Sequence, residues 1–430
     1  MKEYLGLVER DYRRNLSLFL LVEVAWGIGM GFGVLDVTVP AYLSSLNAPK
    51  TLIGIIQSAG MTFVFLQLFS SFYLGGRNRK RNSARLFIIG SACLALAGII
   101  CLVWKKPAPY WLSVYLFSLF ILLFVIILSS ASPLYLEILT DNIPRGKRGN
   151  YFGIAWVILG GLGLLFSYVA VFLTKLFGSP ANYYLRFLAA GILYASSCLV
   201  VLKINDHLNP VHSQEIQQPE FLSETKALLT KVLQNPNYRI FIFFYTFISI
   251  ALAIGISFII PYGRDYLSAN EQQISVFFKV WFLTALFGCI PLGKLGDRSG
   301  YRAVGILMSG LLLLGYIAIL TTKNIKSLPI AYIPFCLATQ ASVMLLNNLG
   351  VEFCEDIKPS SLFSVGSLIP IPFVFGIIIL CGQIIDIAKN YLAVFLIGAA
   401  FSAVGLAGFW ILLREPRKGL LFVIEPVNRG

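Results

Sequence analysis

The chain has 430 residues, of which 57% are hydrophobic and only 13% are charged, and its mean hydropathy is +0.80. A soluble globular chain carries about 25% charged residues, so this composition excludes a water-soluble fold. The formal net charge of +14 does not indicate a nucleic-acid partner. The Lys and Arg residues lie in short breaks between apolar runs rather than along one basic stripe.

Apolar runs long enough to cross a bilayer recur along the whole chain. A transmembrane helix needs about 20 apolar residues, and these runs are too long and too uniformly apolar for barrel strands. The twelve predicted spans, numbered in chain order, cover residues 17–45, 51–74, 84–104, 109–136, 150–177, 182–203, 238–263, 272–293, 302–322, 328–351, 360–385 and 390–413. The sequence therefore predicts an all-α polytopic membrane protein.

Span one carries two acidic residues and a run of alternating glycines. The glycines from Gly27 to Gly33 predict close helix packing or bending. An ionisable group inside a bilayer is costly and is therefore a functional candidate. Glu23 and Asp36 lie about 20 Å apart along a helix, so they cannot act as one carboxylate pair. Each also has a structural interpretation, Glu23 as an interfacial charge and Asp36 as an outer group paired with a neighbour.

Other polar residues inside the spans are candidates for a substrate-binding cavity. Gln57 lies in span two, and Gln340, Asn347 and Asn348 share one face of span ten. These amides could line a cavity or could join helices by hydrogen bonds. Lys279 in span eight could pair with the outer acid of span one, bind an anionic head group, or extend its amine to the membrane surface.

The longest polar stretch inside the chain divides the spans six and six. It includes a predicted amphipathic helix around residues 221–233. The predicted divisions are a cytoplasmic N-terminal segment 1–16, an N-terminal six-helix bundle 17–203, a cytoplasmic linker 204–237, a C-terminal six-helix bundle 238–413 and a cytoplasmic tail 414–430. We expect the N-terminal segment to be a surface helix rather than a cleaved signal.

The basic residues set the predicted orientation in the membrane. Most of the 34 Lys and Arg residues lie in the linker and in the loops after the even-numbered spans, and Lys279 alone is predicted inside a span. Cytoplasmic loops are enriched in Lys and Arg. We therefore expect a multi-pass protein of the cell inner (plasma) membrane with both termini in the cytoplasm.

The two halves of the sequence repeat one pattern. Glu137-x3-Asp141 ends span four, and Glu352-x3-Asp356 ends span ten half a chain length later, each with a proline three residues further on. Parallel repeats related by an axis along the membrane normal are typical of alternating-access carriers, whose substrate site lies between the halves.

The loop after span eight contains the most specific motif, Gly293-Lys-Leu-Gly-Asp297-Arg298-Ser-Gly300-Tyr-Arg302. Its glycines permit a tight turn at a helix end. Asp297 could cap the next helix, where an anion is favoured. Arg298 and Arg302 could pair with acids or with the terminal carbonyls of neighbouring helices. Such a cluster can hold the cytoplasmic side closed and then release it.

The loop after span two carries a degenerate copy of this motif. It keeps Arg81 and Arg85, but Lys80 occupies the position of Asp297. Another acid such as Glu137 could supply the missing partner, or the loop could serve membrane orientation alone.

The loop motif resembles the G-x-L-x-D-R-x-G-x-R signature of the major facilitator superfamily (MFS), and the spans and their six-plus-six division resemble that family throughout. The resemblance implies two pseudo-symmetric six-helix bundles that move a small-molecule substrate by rocker-switch alternating access. It further implies proton coupling through Asp36 or Glu23, contact with membrane lipids, no cofactor and a monomer. The residues expected to act in gating are Gly293, Asp297, Arg298, Arg302, Arg81, Arg85, Glu137, Arg148 and Glu352. The tail Arg414-Glu415-Pro416-Arg417-Lys418-Gly419 looks like the P-E-T-K-G tail of sugar porters, or is a simple segment that ends the last helix.

The sequence argues against an enzyme and against a primary pump. Both histidines, His207 and His212, lie in the linker, and no HExxH, GxSxG or phosphate-binding loop occurs. The seven cysteines form no CxxC pair, so no metal site is predicted. A drug or lipid exporter of the same fold and a transport-inactive sensor remain alternatives. Substrate identity and transport direction stay open.

Overall fold

The computed structural model describes residues 2–33, 35–63, 66–74, 78–103, 110–144, 147–178, 181–208, 221–353 and 366–416. All the regular secondary structure in these ranges is helical. Helices satisfy every interior backbone polar group within one segment, as a bilayer requires. Eleven of the described helices are long and apolar enough to cross a membrane. The predicted all-α polytopic fold is confirmed.

The N-terminal half begins with two spans that are each made of two helices. Span one consists of Lys2–Phe32 and Leu35–Ser45, and span two consists of Lys50–Thr62 and Leu66–Leu74. The two helices of span two are individually too short to count among the eleven. The remaining spans of this half are the single helices Arg79–Val103, Tyr110–Asn142, Arg148–Phe177 and Ala181–Val201.

The C-terminal half follows the linker helix Phe221–Gln234, which matches the predicted amphipathic segment. Spans seven to twelve are Pro236–Asp265, Glu271–Ser299, Tyr301–Thr321, Leu328–Phe353, Ile371–Ala388 and Tyr391–Ala407, with a π-helical turn Gly408–Leu412 at the end. Asn235, Asn270 and Asn390 cap spans seven, eight and twelve by accepting backbone N–H groups. The first part of the predicted span eleven lies outside the described residues.

Three predicted boundaries differ from the structure. The N-terminal segment is helical and leads directly into span one, so no helix boundary lies at residue 16. Span four continues past residue 136 to Asn142. The loop signature is mostly helical, since span eight continues to Ser299 and the turn comes only at Gly300, where φ is +83°. The domain divisions drawn from the sequence stay a prediction.

Span one breaks at its last glycine, so the predicted bending is confirmed. The first helix ends at Phe32, and the second contains Pro40, which cannot donate a hydrogen bond to the carbonyl of Asp36. The run of glycines also brings the first helix against span five. A side chain at Gly27 would meet the backbone of Leu159 at 3.1 Å.

The two halves contact each other through spans two and eleven and through spans five and eight. Small residues allow both crossings. A side chain at Gly382 of span eleven would collide with the backbone of Thr51, and one at Gly163 of span five would collide with the ring of Phe282. Span seven is the most buried of the membrane-spanning helices described. It packs against the second helix of span one and the first helix of span two.

Candidate functional site

Side chains of two other spans donate hydrogen bonds to backbone carbonyls beside the break in span one. The last carbonyls of a helix have no partner within that helix. Arg186 of span six donates from Nε to the Phe32 carbonyl at 2.6 Å and from Nη2 to Thr38 Oγ1 at 3.3 Å. Gln57 of span two donates its amide to the Leu35 carbonyl at 3.3 Å. The break is therefore a fixed structural feature of the interior.

Asp36 begins the second helix of span one and faces the C-terminal half. Its carboxylate lies near the Trp281 side chain of span eight, close enough for the two polar groups to interact. It also lies close enough to Tyr332 and Cys336 of span ten to interact with them electrostatically. Asp36 is thus a half-buried acid at the contact between the two halves. The structure does not pair it with a basic residue.

Arg186 is a second ionisable group in this region, and the sequence analysis overlooked it. The side chain is only 3% exposed, so Lys279 is not the only basic residue inside a span. Its guanidinium lies 4.5 Å from the centre of the Phe278 ring of span eight. The residue escaped notice because it lies only one turn and a half from the start of span six, where basic residues usually serve orientation.

The other predicted cavity residues do not form one site. Lys279 lies over the ring of Tyr168 at 4.3 Å and makes no ion pair with Asp36. Gln340 is buried and accepts a hydrogen bond from Cys289 of span eight. Asn348 donates to the Met344 carbonyl one turn earlier in its own helix at 2.8 Å, so this amide bond joins no second helix.

The backbone of Asn347 lies in span ten, but its side chain lies outside the described residues. Its predicted role in binding stays a prediction.

Glu23 belongs to a separate cluster inside the N-terminal half. Tyr151 donates to its carboxylate at 2.7 Å and Tyr135 donates at 3.3 Å. The two tyrosines come from spans four and five and pack against Phe19. Glu23 is therefore held by hydroxyl groups of its own half, whereas Asp36 meets residues of the other half.

The outer ends of the halves are joined by a cap that crosses between them. Asp386 at the end of span eleven accepts hydrogen bonds from the backbone N–H groups of Lys50 and Thr51 at 2.7 and 3.0 Å, and from the Thr51 hydroxyl at 2.8 Å. A carboxylate at a helix N-terminus is favoured by the exposed N–H groups and the helix dipole. Lys50 also forms an ion pair with Asp265 of span seven at 2.8 Å.

A second polar contact joins the halves beside this cap. Tyr183 of span six donates to the Glu271 carboxylate at 2.7 Å and accepts from Arg264 at 2.9 Å. Arg264 and Glu271 also form an ion pair. These residues all lie at the outer ends of their spans. Together with the cap, they close the outer side of the interface, and we call the two contacts the outer latch.

Span five is uncovered toward its inner end. Its crossing with span eight lies at Gly160 and Gly163, where Leu286 and Phe282 approach. Toward the start of span five, on the side that the sequence predicts to be cytoplasmic, a groove of about 340 Å³ is lined by span five alone: Asn150, Gly153, Ile154, Val157 and Ile158. No atom lies within 4 Å of where a side chain at Gly153 would begin.

One predicted gating residue of the C-terminal half, Arg302, binds the end of span twelve. Arg302 donates to the carbonyls of Phe409 and Trp410. The sequence analysis predicted this kind of partner, a terminal carbonyl of a neighbouring helix. Asp297 is wrongly predicted as a cap, because span nine begins at Tyr301 and no side chain caps its N-terminus at Gly300. Asp297 instead accepts from the Tyr301 hydroxyl at 3.5 Å.

The remaining predicted gating residues of the C-terminal half do not share one environment. The carboxylate of Glu415 packs where a side chain at Gly300 would lie, so the tail and the loop signature meet. Arg298 is exposed, Gly293 is part of span eight, and Glu352 is half-buried near the end of span ten.

The N-terminal half uses a basic residue that the sequence analysis did not select. Arg79, at the start of span three, is 1% exposed and binds Asp141 at 2.6 Å and Asp206 at 2.7 Å. Arg81 and Arg85, the predicted gating residues of the same loop, are exposed. The loop with the degenerate motif therefore contributes an arginine to a buried charge cluster. That arginine is Arg79, two residues before Arg81 in the sequence.

Two further predicted gating residues lie at the end of span four. Arg148 donates to the Ile143 carbonyl at 3.1 Å and to the Thr140 carbonyl, so it caps this helix. Glu137 is half-buried one turn before Asp141.

A long helical chain with paired halves and ionisable residues between them defines a polytopic membrane transporter. The family model of the Major Facilitator Superfamily matches residues 24–360, and the chain belongs to that superfamily. The sequence-based assignment is thereby confirmed. A search of curated protein sequences finds no match.

Several solved structures share this fold at low sequence identity. A mutant form of the nucleoside transporter NupG has a TM-score of 0.68 and 16% identity, and the match covers 93% of this chain and 100% of that one. A partially occluded inward-open form of the xylose transporter XylE from E. coli has a TM-score of 0.65 and 14% identity over 94% and 99% of the two chains. A POT family transporter in complex with 5-aminolevulinic acid has a TM-score of 0.66 and 14% identity over 94% and 96%. At these identities the likeness concerns the fold.

Proposed function

We propose that this protein is a secondary active transporter that moves a small solute by rocker-switch alternating access, and that the structure is its inward-facing form. The observation that carries the proposal is the outer latch. Asp386 caps span two of the other half, while the inner part of span five borders an open groove. A solute would then reach the interior from the cytoplasm.

We further propose that proton binding at Asp36 couples transport to a proton gradient. A coupling acid must affect how the halves pack, and Asp36 meets Trp281 across their contact. Protonation removes a charge whose burial is costly, so the protonated form favours a closed contact between the halves. Glu23 is the weaker candidate, because its two hydrogen-bond partners belong to its own half. The proton symporter among the structural neighbours, a D-xylose carrier, supports coupling of this kind within the fold.

Alternating access can be tested without knowing the solute. In a background without the seven native cysteines, Phe278→Cys reports the outer side and Gly153→Cys reports the inner side. Phe278 is 2% exposed beneath the outer latch, and Gly153 borders the open groove. A membrane-impermeant maleimide added from one side measures how often each position is open to that side.

Breaking the latch should shift this equilibrium outward. Asp386→Ala removes three hydrogen bonds to a carboxylate, and a bond to a charged group contributes about 1.5–3 kcal/mol. We therefore expect labelling of Phe278→Cys from outside to rise about tenfold or more, because about 1.4 kcal/mol corresponds to a factor of ten. Labelling of Gly153→Cys from inside should fall in parallel.

Gln383→Ala is the matched control, since Gln383 is exposed on the same helix one turn earlier. It should leave both labelling rates unchanged. If Asp386→Ala leaves both reporters unchanged, or raises both together, alternating access about this latch is rejected.

A further inference from the structure

Arg186 carries a positive charge that the described residues do not neutralise. It is 3% exposed, and no carboxylate in the described part of the chain forms an ion pair with it. Glu271, an acid that acts on it electrostatically, already pairs with Arg264 and accepts a hydrogen bond from Tyr183. Asp36 is directed to Trp281 instead. A buried charge without a partner is strongly unfavourable.

Part of the guanidinium is also unused for hydrogen bonding. Nε and Nη2 bind the Phe32 carbonyl and the Thr38 hydroxyl. Nη1 donates to no acceptor among the described residues, although it carries two of the five N–H groups of the side chain. The Phe278 ring of the other half covers the guanidinium at 4.5 Å. A cation–π contact compensates a buried charge in part, because the face of the ring is negative.

The break in span one does not by itself require an arginine. The nearby carbonyl of Leu35, at the first residue of the second helix, accepts a hydrogen bond from the neutral amide of Gln57. A neutral donor could therefore serve the Phe32 carbonyl in the same way. The charge of Arg186 needs a different explanation from its hydrogen bonds.

We propose that Arg186 binds an anionic group of the transported solute, a carboxylate or a phosphate, at the contact between the halves. This inference rests on the proposed transport function. Arginine presents parallel N–H groups that match the paired oxygens of such anions. When the halves part at the outer latch, Phe278 moves with the C-terminal half and exposes the guanidinium. The aromatic ring then covers the arginine only in the closed contact.

The test is a melting-temperature screen of the purified full-length protein at constant ionic strength. The anionic probes are acetate, succinate, gluconate and inorganic phosphate, and the neutral probes are xylose and uridine. A ligand that binds only the folded protein raises its midpoint temperature. We expect carboxylates or phosphate to raise the midpoint of the wild-type protein, with the responding probe identifying which of the two groups is bound.

Variants at Arg186 then assign the effect to this residue. Arg186→Gln keeps an N–H donor for the Phe32 carbonyl but removes the charge, and it should weaken anion binding at least tenfold. Arg186→Lys keeps the charge without the paired donors and should retain part of the affinity. Phe278→Ala uncovers the guanidinium without changing it and should bind the anion several-fold more tightly. That variant keeps the proposal testable if Arg186→Gln does not fold.

Three results would overturn the inference. These are stabilisation by the neutral probes alone, an anion effect that persists in Arg186→Gln or is unchanged in Phe278→Ala, and no stabilisation by any probe. The maleimide experiment uses no solute, so its outcome for alternating access is independent of this screen.

Discussion

Asp36→Asn should abolish gradient-driven concentration of the solute while leaving solute exchange intact. Asparagine keeps the shape of the side chain and a group that Trp281 can bond, but it cannot exchange a proton. A pH difference of one unit across the membrane corresponds to about 1.36 kcal/mol per proton. A difference of two units can therefore sustain a solute concentration ratio of roughly 100 across the membrane when one proton is coupled. In the variant, the ratio should fall to about one.

The measurement uses proteoliposomes with an imposed pH difference and a solute selected by the melting-temperature screen. Concentration against the gradient is compared with counterflow exchange, which needs no proton movement. Because the direction of transport is open, the pH difference is imposed with either sign. Loss of both activities would indicate a folding or binding defect rather than a coupling role.

Glu23→Gln is the matched control in the same span. The glutamine side chain can still accept from Tyr135 and Tyr151, whose hydroxyls now hold the carboxylate. Gradient-driven concentration should therefore survive. If Glu23→Gln removes it and Asp36→Asn does not, the coupling role moves from the contact between the halves to the cluster within one half.

The sequence predicted the general organisation because hydrophobic length and loop charge act locally. A bilayer requires long apolar helices, and orientation depends on basic loops, so both appear in the order of residues. The alternating glycines near Gly31 predicted bending of span one, and Pro40 supplied a second cause. The helix-terminal role of Arg302 was also readable from its motif.

The residues that form the candidate site could not be predicted in the same way. Arg186, Trp281 and Phe278 meet only because three distant spans pack together. The outer latch has the same origin, since Asp386 caps a helix more than 300 residues earlier in the chain. Lys279 shows the opposite case. It is conspicuous in the sequence, yet in the structure it lies on an exposed tyrosine of span five.

Arg79→Met should destabilise the folded protein more than any substitution elsewhere in its loop. The guanidinium joins the start of span three to Asp141 at the end of span four and to Asp206 after span six. Methionine fills a similar volume but leaves two carboxylates without their counter-charge. Removing one partner of a buried ion pair typically costs about 3–5 kcal/mol.

Arg79→Lys should be intermediate, because an ammonium group cannot present the two-pronged geometry that Arg79 uses toward Asp206. Arg85→Met is the matched control, since Arg85 is exposed six residues later. An exposed substitution of this kind usually changes stability by less than about 0.5 kcal/mol. The thermal-unfolding midpoint of each purified variant, measured at one scan rate, ranks the three.

The loop after span two lacks the aspartate of the signature. The ranking also tests which arginine of that loop stabilises this end of the N-terminal half. If Arg79 holds this end together, its loss lowers the midpoint by several degrees and Arg85→Met leaves it unchanged. If Arg85→Met is the more damaging variant, the motif acts through its signature arginine in a conformation other than this one. The cluster around Asp141 would then be secondary. Asp206 lies near the start of the linker, so the same cluster fixes where the connection to the C-terminal half leaves the bundle.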